Sequence, residues 1–261
     1  MEEAKLKTVF IKPDASLQRD QIRTINVIRG RSKCESMDAE PQLIETLSKV
    51  CKMDPHVILS VIQDYLSNTA PLVIHVSDKT LALLLSDTHY RSSFETATHN
   101  NANAGVYMDS RIKWESECFL KLYDGVTNFE RPKYGALNFL NKSTGVKAAA
   151  GYGRHYVTLK RHVRQRVTLS TCDTSSSRCL GVLDYCDHVL NHLSEFELKE
   201  LTEVATGKKL EGNEKQSQVY REIQIHGELD IARDFEALHV TKESDIAVEF
   251  SKKFNVPIIF S

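Results

Sequence analysis

The run Val219-Tyr220-Arg221-Glu222-Ile223-Gln224-Ile225-His226-Gly227-Glu228 constrains the fold more than any other stretch of this chain. Val219, Ile223 and Ile225 fall on one side of a strand, while Tyr220, Glu222, Gln224 and His226 fall on the other. A period of two with aliphatics on one face is the pattern of a half-buried strand. Neighbours on the polar face stand roughly 6.6–7 Å apart along the strand, which lines up a carboxylate, an amide and an imidazole. Gly227 then permits a turn or bulge. Such a row on a rigid strand can build a site, and it can equally be the solvated face of an edge strand.

Composition narrows what this strand belongs to. With 261 residues the chain can bury a sizeable core as one large domain or two small ones. Its 34 basic and 35 acidic residues nearly balance, which argues against a surface built for nucleic acid. No apolar run approaches the roughly 18 residues of a membrane span, and the acidic start Met1-Glu2-Glu3-Ala4-Lys5 lacks an apolar signal core. Six cysteines without a dense framework read as reduced thiols. The expected location is therefore the cytoplasm, or a host cell reached by a non-classical secretion route.

Residues 1–70 read as a helical region. Residues 8–11 form a short strand and 21–28 show some alternation. The polar stretch 29–40 is a loop, and a helix begins at Pro41, with Leu43, Ile44, Leu47 and Val50 on one face. Asp54 caps a second helix whose first turn holds Pro55. Residues 71–76 are a compact apolar strand, Ser77 or Asp78 caps a short helix, and Tyr90 to Thr96 is a polar cluster ending a strand. An Asn-rich loop spans 100–105, followed by a helix from Asp109 or Ser110 to Tyr123, with Gly125 as its C-cap. Strands are expected at 133–140, 152–160 and 166–171. A Ser-rich loop covers 173–177, helices 180–193 and 196–204, and an exposed loop 207–218. The alternating strand, a strand at 235–240, a helix at 244–254 and a last strand at 256–260 close the chain. Strands with short connections after helices give an α+β fold with a mainly antiparallel sheet.

Few chemical motifs are present. No phosphate-binding Gly-Lys loop, dinucleotide fingerprint or hydrolase elbow appears. Cys172, Cys179 and Cys186 are spaced too widely for an ordinary zinc site and read as core residues, even with His188 and His192 nearby. His75, alone in an apolar strand, reads as a satisfied core histidine. Arg91, flanked by Tyr90 and Ser92, can grip a phosphate with its fork or pair with Glu95. Ser170 and Thr171 can orient a ligand or cap the turn that follows them.

Three blocks carry a resemblance. Tyr90-Arg91-Ser92-Ser93-Phe94-Glu95-Thr96, then Arg131-Pro132-Lys133-Tyr134-Gly135-Ala136-Leu137-Asn138, then Glu222-Ile223-Gln224-Ile225-His226-Gly227 resemble, in this order, an uncharacterised and mainly bacterial domain family of unknown function. The likeness covers roughly residues 70–260. More distantly, an arginine early, a Ser/Thr pair in the middle and a late glutamate are similar to the Arg–Ser–Glu order of ADP-ribosyltransferases. Here the order falls on Arg91, Ser170 with Thr171, and Glu222. Glu222 is followed by Gln224, where many such enzymes carry a second glutamate.

That second resemblance implies a split, mixed and mainly antiparallel sheet over residues 71–261, and an enzyme, effector or toxin, that uses NAD as substrate and modifies a macromolecule, in the first instance a protein. It implies catalytic roles for Glu222 and Gln224 and NAD contacts from Arg91, Ser92, Tyr134, Ser170, Thr171 and His226, with no metal and no membrane. Two rivals stand beside it. One is another enzyme acting on a nucleotide or phosphate ester through Glu222, Gln224 and His226. The other is a non-catalytic module whose flat, exposed Tyr220–Glu222–Gln224–His226 face meets a protein.

Overall fold

The computed structural model describes residues 16–96, 108–208, 220–242 and 244–260. The expected strand at 8–11, the Asn-rich loop at 100–105, most of the loop at 207–218 and Val219 lie outside the described residues.

The chain begins with α1 (Arg19–Val50) and α2 (Pro55–Asn68). A loop is expected at 29–40, but α1 is one helix of 32 residues that runs straight through it. Its buried positions Ile25, Ile28, Ser32, Ser36, Leu43 and Leu47 follow helical spacing. The middle two are serines, which hid the apolar stripe. Ser36 Oγ lies 3.0 Å from His188 Nδ1 and accepts from the Asp187 amide at 3.1 Å, so a polar face is satisfied while buried. Pro41 is interior to α1 rather than at its start. Pro41→Ala should therefore stabilise the protein by about 2 kcal/mol, the interior proline penalty less the chain entropy it removes from the unfolded state. Urea unfolding reads this directly, and an unchanged or lower midpoint would refute it. In α2 the expected signals act as read: Asp54 accepts from His56 and Val57 amides, with Pro55 in the first turn.

Next come β1 (Leu72–Val76), α3 (Asp78–Leu84), α4 (Ser93–Thr96) and α5 (Met108–Cys118). Then follow β2 (Lys133–Leu137), β3 (His155–Leu159), β4 (Val167–Ser170) and β5 (Leu180–Val182). The segment expected as one helix over 180–193 starts instead as β5, because Gly181 and Val182 disfavour a helix, and only α6 (Asp187–Leu190) is helical. The remaining elements are α7 (Glu195–Ala205), β6 (Glu222–Ile225), α8 (Ile231–Asp234), β7 (Phe235–Val240), α9 (Asp245–Phe254) and β8 (Ile258–Phe260).

Among the described residues eight strands form one continuous sheet in the order β5-β4-β6-β2-β1-β3-β7-β8, rather than the split sheet expected. Neighbours are antiparallel except β7 and β8, which run parallel across α9. The expectation of helices with a mixed, mainly antiparallel sheet is met.

Alternation sorts the sheet into two unlike faces. Ile74, Leu137, Leu169, Ile223 and Ile225 enter the main core with Ile62 and Leu66 of α2, Leu198 and Leu201 of α7 and Phe250 of α9. Leu43 and Leu47 of α1 belong to the same cluster, so α1 and α2 close the core of the sheet. The other face presents His75, Tyr134, Ala136, Thr168, Glu222 and Gln224, with Ala136 opposite Glu222 and Gln224 between Tyr134 and Thr168. This polar face borders a cavity. Among the described residues no helix is long and apolar enough to cross a membrane.

Candidate functional site

The alternating run delivers Glu222 to the polar face of β6, in the interior of the sheet rather than at an edge. Small residues stand around it. Ala136 faces it across β2, and Ala148, Ala149 and Gly151 lie in the loop between β2 and β3. They leave a cavity of about 480 Å3 walled by Tyr134, Tyr152, Tyr220 and Trp114, with Arg91, Arg111, Asp173 and Glu222 as its charged groups. Pockets for small ligands typically span roughly 300–1,000 Å3. Gly135 is needed beneath the cavity: a Cβ there would stand 2.6 Å from the Val73 carbonyl oxygen.

Glu222 is 4% exposed. One carboxylate oxygen accepts from Gln224 Nε2 at 3.1 Å and from the Thr174 amide at 3.2 Å, and the other from the Tyr220 hydroxyl at 3.3 Å. Burial, with the like charge of Asp173 nearby, pushes its pKa up to about 7 against those hydrogen bonds. A carboxyl half-ionised near neutrality at a cavity wall is the kind of group that active sites hold.

The other predicted residues divide. Arg91, Ser92 and Tyr134 line the same cavity as Glu222, whereas Gln224, Ser170, Thr171 and His226 do not. Gln224 is fully buried behind Glu222. It donates to Glu222 and, at 3.1 Å, to Ser170 Oγ, and accepts from Thr168 Oγ1 at 2.9 Å, so it braces the carboxylate from behind and does not line the cavity. Ser170 Oγ donates to the Cys172 carbonyl at 2.5 Å, and Thr171 Oγ1 meets Ser177 Oγ at 2.8 Å; both hydroxyls build the turn after β4. His226 is corrected most sharply. It is fully buried between the Tyr123 hydroxyl at 2.5 Å and Thr168 Oγ1 at 3.0 Å, and burial, helped by Arg166, holds its pKa down at about 3. It is a neutral core residue.

Arg91 is not on a strand end. It lies in the loop before α4, where Ser92 and Glu95 form a reciprocal cap: the Ser92 amide donates to Glu95 Oε2 at 2.8 Å, and the Glu95 amide to Ser92 Oγ at 3.4 Å. The Ser-x-x-Glu spacing was in the sequence and marks a helix start. His75 is satisfied as expected, Nδ1 donating to the Gly153 carbonyl at 2.9 Å and Nε2 accepting from the Val146 amide at 3.0 Å. The flat, exposed Tyr220–His226 face expected of a binding module is absent; Glu222, Gln224 and His226 are buried.

Several lining residues escaped the sequence reading. Arg111 and Trp114 share a face of α5 with buried Glu115 and Cys118, at positions i, i+3, i+4 and i+7. That stripe mixes charge with aromatics, so hydrophobicity alone does not reveal it. Glu115 accepts from Tyr134 Oη at 2.9 Å and is paired with buried Arg131; desolvation raises its pKa to about 6 despite that arginine. Asp173 and Thr174 reach the cavity because Asp173 Oδ1 accepts the Ser175 amide at 2.7 Å and folds the Ser-rich loop into a tight turn.

A family described as Protein of unknown function (DUF3626) matches residues 71–209, more than half of the chain. The match takes in the Arg91 and Tyr134 blocks; the Glu222 block lies beyond it. No curated protein matches the chain.

Proposed function

We propose that this chain, which belongs to the DUF3626 family, cleaves the N-glycosidic bond of NAD in this cavity and passes the ADP-ribosyl group to a macromolecule, in the first instance a protein. The observation that carries the reading is the buried carboxylate of Glu222 opening into one cavity with Tyr134, Trp114 and two arginines.

The chemistry asks little of the protein beyond this. Nicotinamide is bound to the ribose as a cationic pyridinium. When the C1′–N bond breaks, its electron pair returns to the ring nitrogen and the base leaves neutral, so no proton donor is required. Positive charge then builds on C1′ and the ring oxygen. An ionised Glu222, held by Gln224, Thr174 and Tyr220, stabilises that charge without reorganising. The acceptor's nucleophile attacks C1′ and releases its proton. The phenol of Tyr134, held by Glu115, keeps an aromatic ring on the wall for the departing base. Thr174 and Ser175, which line the cavity, stand in for the hydroxyls that the likeness to ADP-ribosyltransferases assigns to Ser170 and Thr171.

A second reading is processing of another nucleotide or a phosphate ester with Glu222 as general base. It is favoured by the position of Glu222 near pH 7, where a base is best poised. Two measurements separate the readings: nicotinamide release from NAD, and the melting temperature with NAD, other nucleotides and simple phosphate esters. The first reading expects release and a rise in melting temperature with NAD. A rise with another nucleotide or ester, with neither release nor a rise for NAD, would replace it by the second.

A further inference from the structure

Two arginines line the cavity, and they are not equivalent. The guanidinium of Arg91 is committed: Nε donates to Asp87 Oδ2 at 2.9 Å, Nη2 to Asp87 Oδ1 at 3.2 Å and Nη1 to Glu95 Oε1 at 3.3 Å. Two carboxylates thus neutralise it and fix it as a brace between the loop and α4. Arg111 differs on each count. Among the described residues its guanidinium makes one stretched contact, 3.5 Å from Nη1 to Ser93 Oγ, at the limit of a hydrogen bond. Its Nε is buried and has no hydrogen-bond partner among the described residues.

The acid one turn along its own helix, Glu115, offers it little. Glu115 feels the Arg111 charge, but its two oxygens are already engaged by Arg131 and Tyr134. A buried donor left unsatisfied costs the folded state free energy that a bound acceptor would return. The guanidinium fork matches a phosphate or carboxylate in geometry. Trp114, one turn along the same face of α5, also lines the cavity and offers a ring for a base to stack on.

We infer that Arg111, and not Arg91, is the anion anchor of this cavity, and that it takes a phosphate of a nucleoside diphosphate or of a ligand containing one. This rests on the cavity being a nucleotide site, as proposed above, but not on glycosidic cleavage. Arg91 shapes the wall beside it.

Adenosine diphosphate and inorganic pyrophosphate serve as probes, titrated into the full chain by calorimetry. Arg111→Met should weaken adenosine diphosphate binding by roughly ten- to a hundredfold, the range for one charge-assisted contact. Arg111→Lys, with charge but no fork, should fall between. The melting temperature without ligand should hold or rise in Arg111→Met, since an unsatisfied buried donor is removed. Arg91→Met should lower that melting temperature and change affinity by less than about threefold. Unchanged affinity in a folded Arg111→Met variant overturns the inference, as does failure of the wild-type protein to bind either probe. Binding that depends on Arg111 without nicotinamide release leaves the anchor standing and removes the NAD reading. Nicotinamide release with the same KM in Arg111→Met does the reverse.

Discussion

Glu222→Gln should lower kcat for nicotinamide release from NAD by roughly 100- to 1,000-fold, the cost of removing one preorganised group that stabilises transition-state charge. The fold should survive. An amide oxygen can accept from Gln224 and Thr174 as the carboxylate does, and its NH2 can donate to the Tyr220 hydroxyl.

The pH dependence gives this prediction its sign. The folded-state pKa is about 7 against an ordinary 4.5, so folding favours the protonated form. Stability from this group is full below pH 4.5, falls between 4.5 and 7, and levels off above. The total is about 3 kcal/mol at 1.36 kcal/mol per unit. Glu115, raised to about 6, and His226, lowered to about 3, titrate in overlapping ranges. The difference between wild type and Glu222→Gln isolates Glu222. That difference should favour the variant progressively as pH rises from 5 to 8. Activity runs the other way: kcat/KM of the wild type should climb through about pH 7 to a plateau as the carboxylate ionises. A rate that is flat, or that falls as pH rises over this range, would sink the charge-stabilising role.

Asp234→Ala should destabilise the protein by roughly 3–5 kcal/mol, as expected when one partner of a buried ion pair is removed. Asp234 is fully buried and accepts at 2.8 Å from Arg166 Nη2, at 2.8 Å from both Nε and Nη2 of Arg233, at 2.8 Å from His162 and at 2.9 Å from the Asp230 amide. Burial alone would raise its pKa. The bonds from Arg233 and His162 and the charges of Arg166 and Arg233 outweigh it and hold the group below its usual 3.8. Its contribution is therefore present above pH 3.8 and lost as pH falls through the lower folded value.

The pair also reaches the site. Arg166, 1% exposed, donates to the His226 carbonyl at 2.6 Å and so ties the start of β4 to the end of β6, the strand that carries Glu222. Urea unfolding at pH 7 measures the loss, and a change under 1 kcal/mol would show that the network is not what holds this corner. Arg166→Met with Asp234→Leu should recover part of the stability, because an apolar pair carries no desolvation penalty.

How much of this was legible depended on which signal each segment used. The second helix announced itself through Asp54-Pro55 and its aliphatic face. Residues 219–228 announced a strand through an alternation that Arg221 alone interrupts on the aliphatic side, and Glu222 stood out within it. The charge of Arg91 is plain in the sequence, but the polar cluster around it resembles a strand end and masks Ser92-x-x-Glu95, a helix-start signal. The first helix was half missed because Ser32 and Ser36 occupy buried positions through hydrogen bonds, which a hydrophobic pattern does not register. Trp114 and Arg111 share a face with Glu115 and Cys118, a stripe too mixed in polarity to be recognised as buried.

The sequence by itself determined the alternation that puts Glu222, Gln224 and His226 on one face, because side-chain direction along a strand follows from the backbone alone. It also determined the mixture of helices with a mainly antiparallel sheet. Only the tertiary structure decided what each of the three does. The run lies inside the sheet, between β2 and β4, so its polar face meets different neighbours at each step. Small alanines leave space in front of Glu222, Thr168 and Ser170 enclose Gln224, and Tyr123 with Thr168 seals His226. Three residues of one period thus become a carboxylate at a cavity wall, its buried support and a core imidazole, because what covers a strand face is set by distant segments.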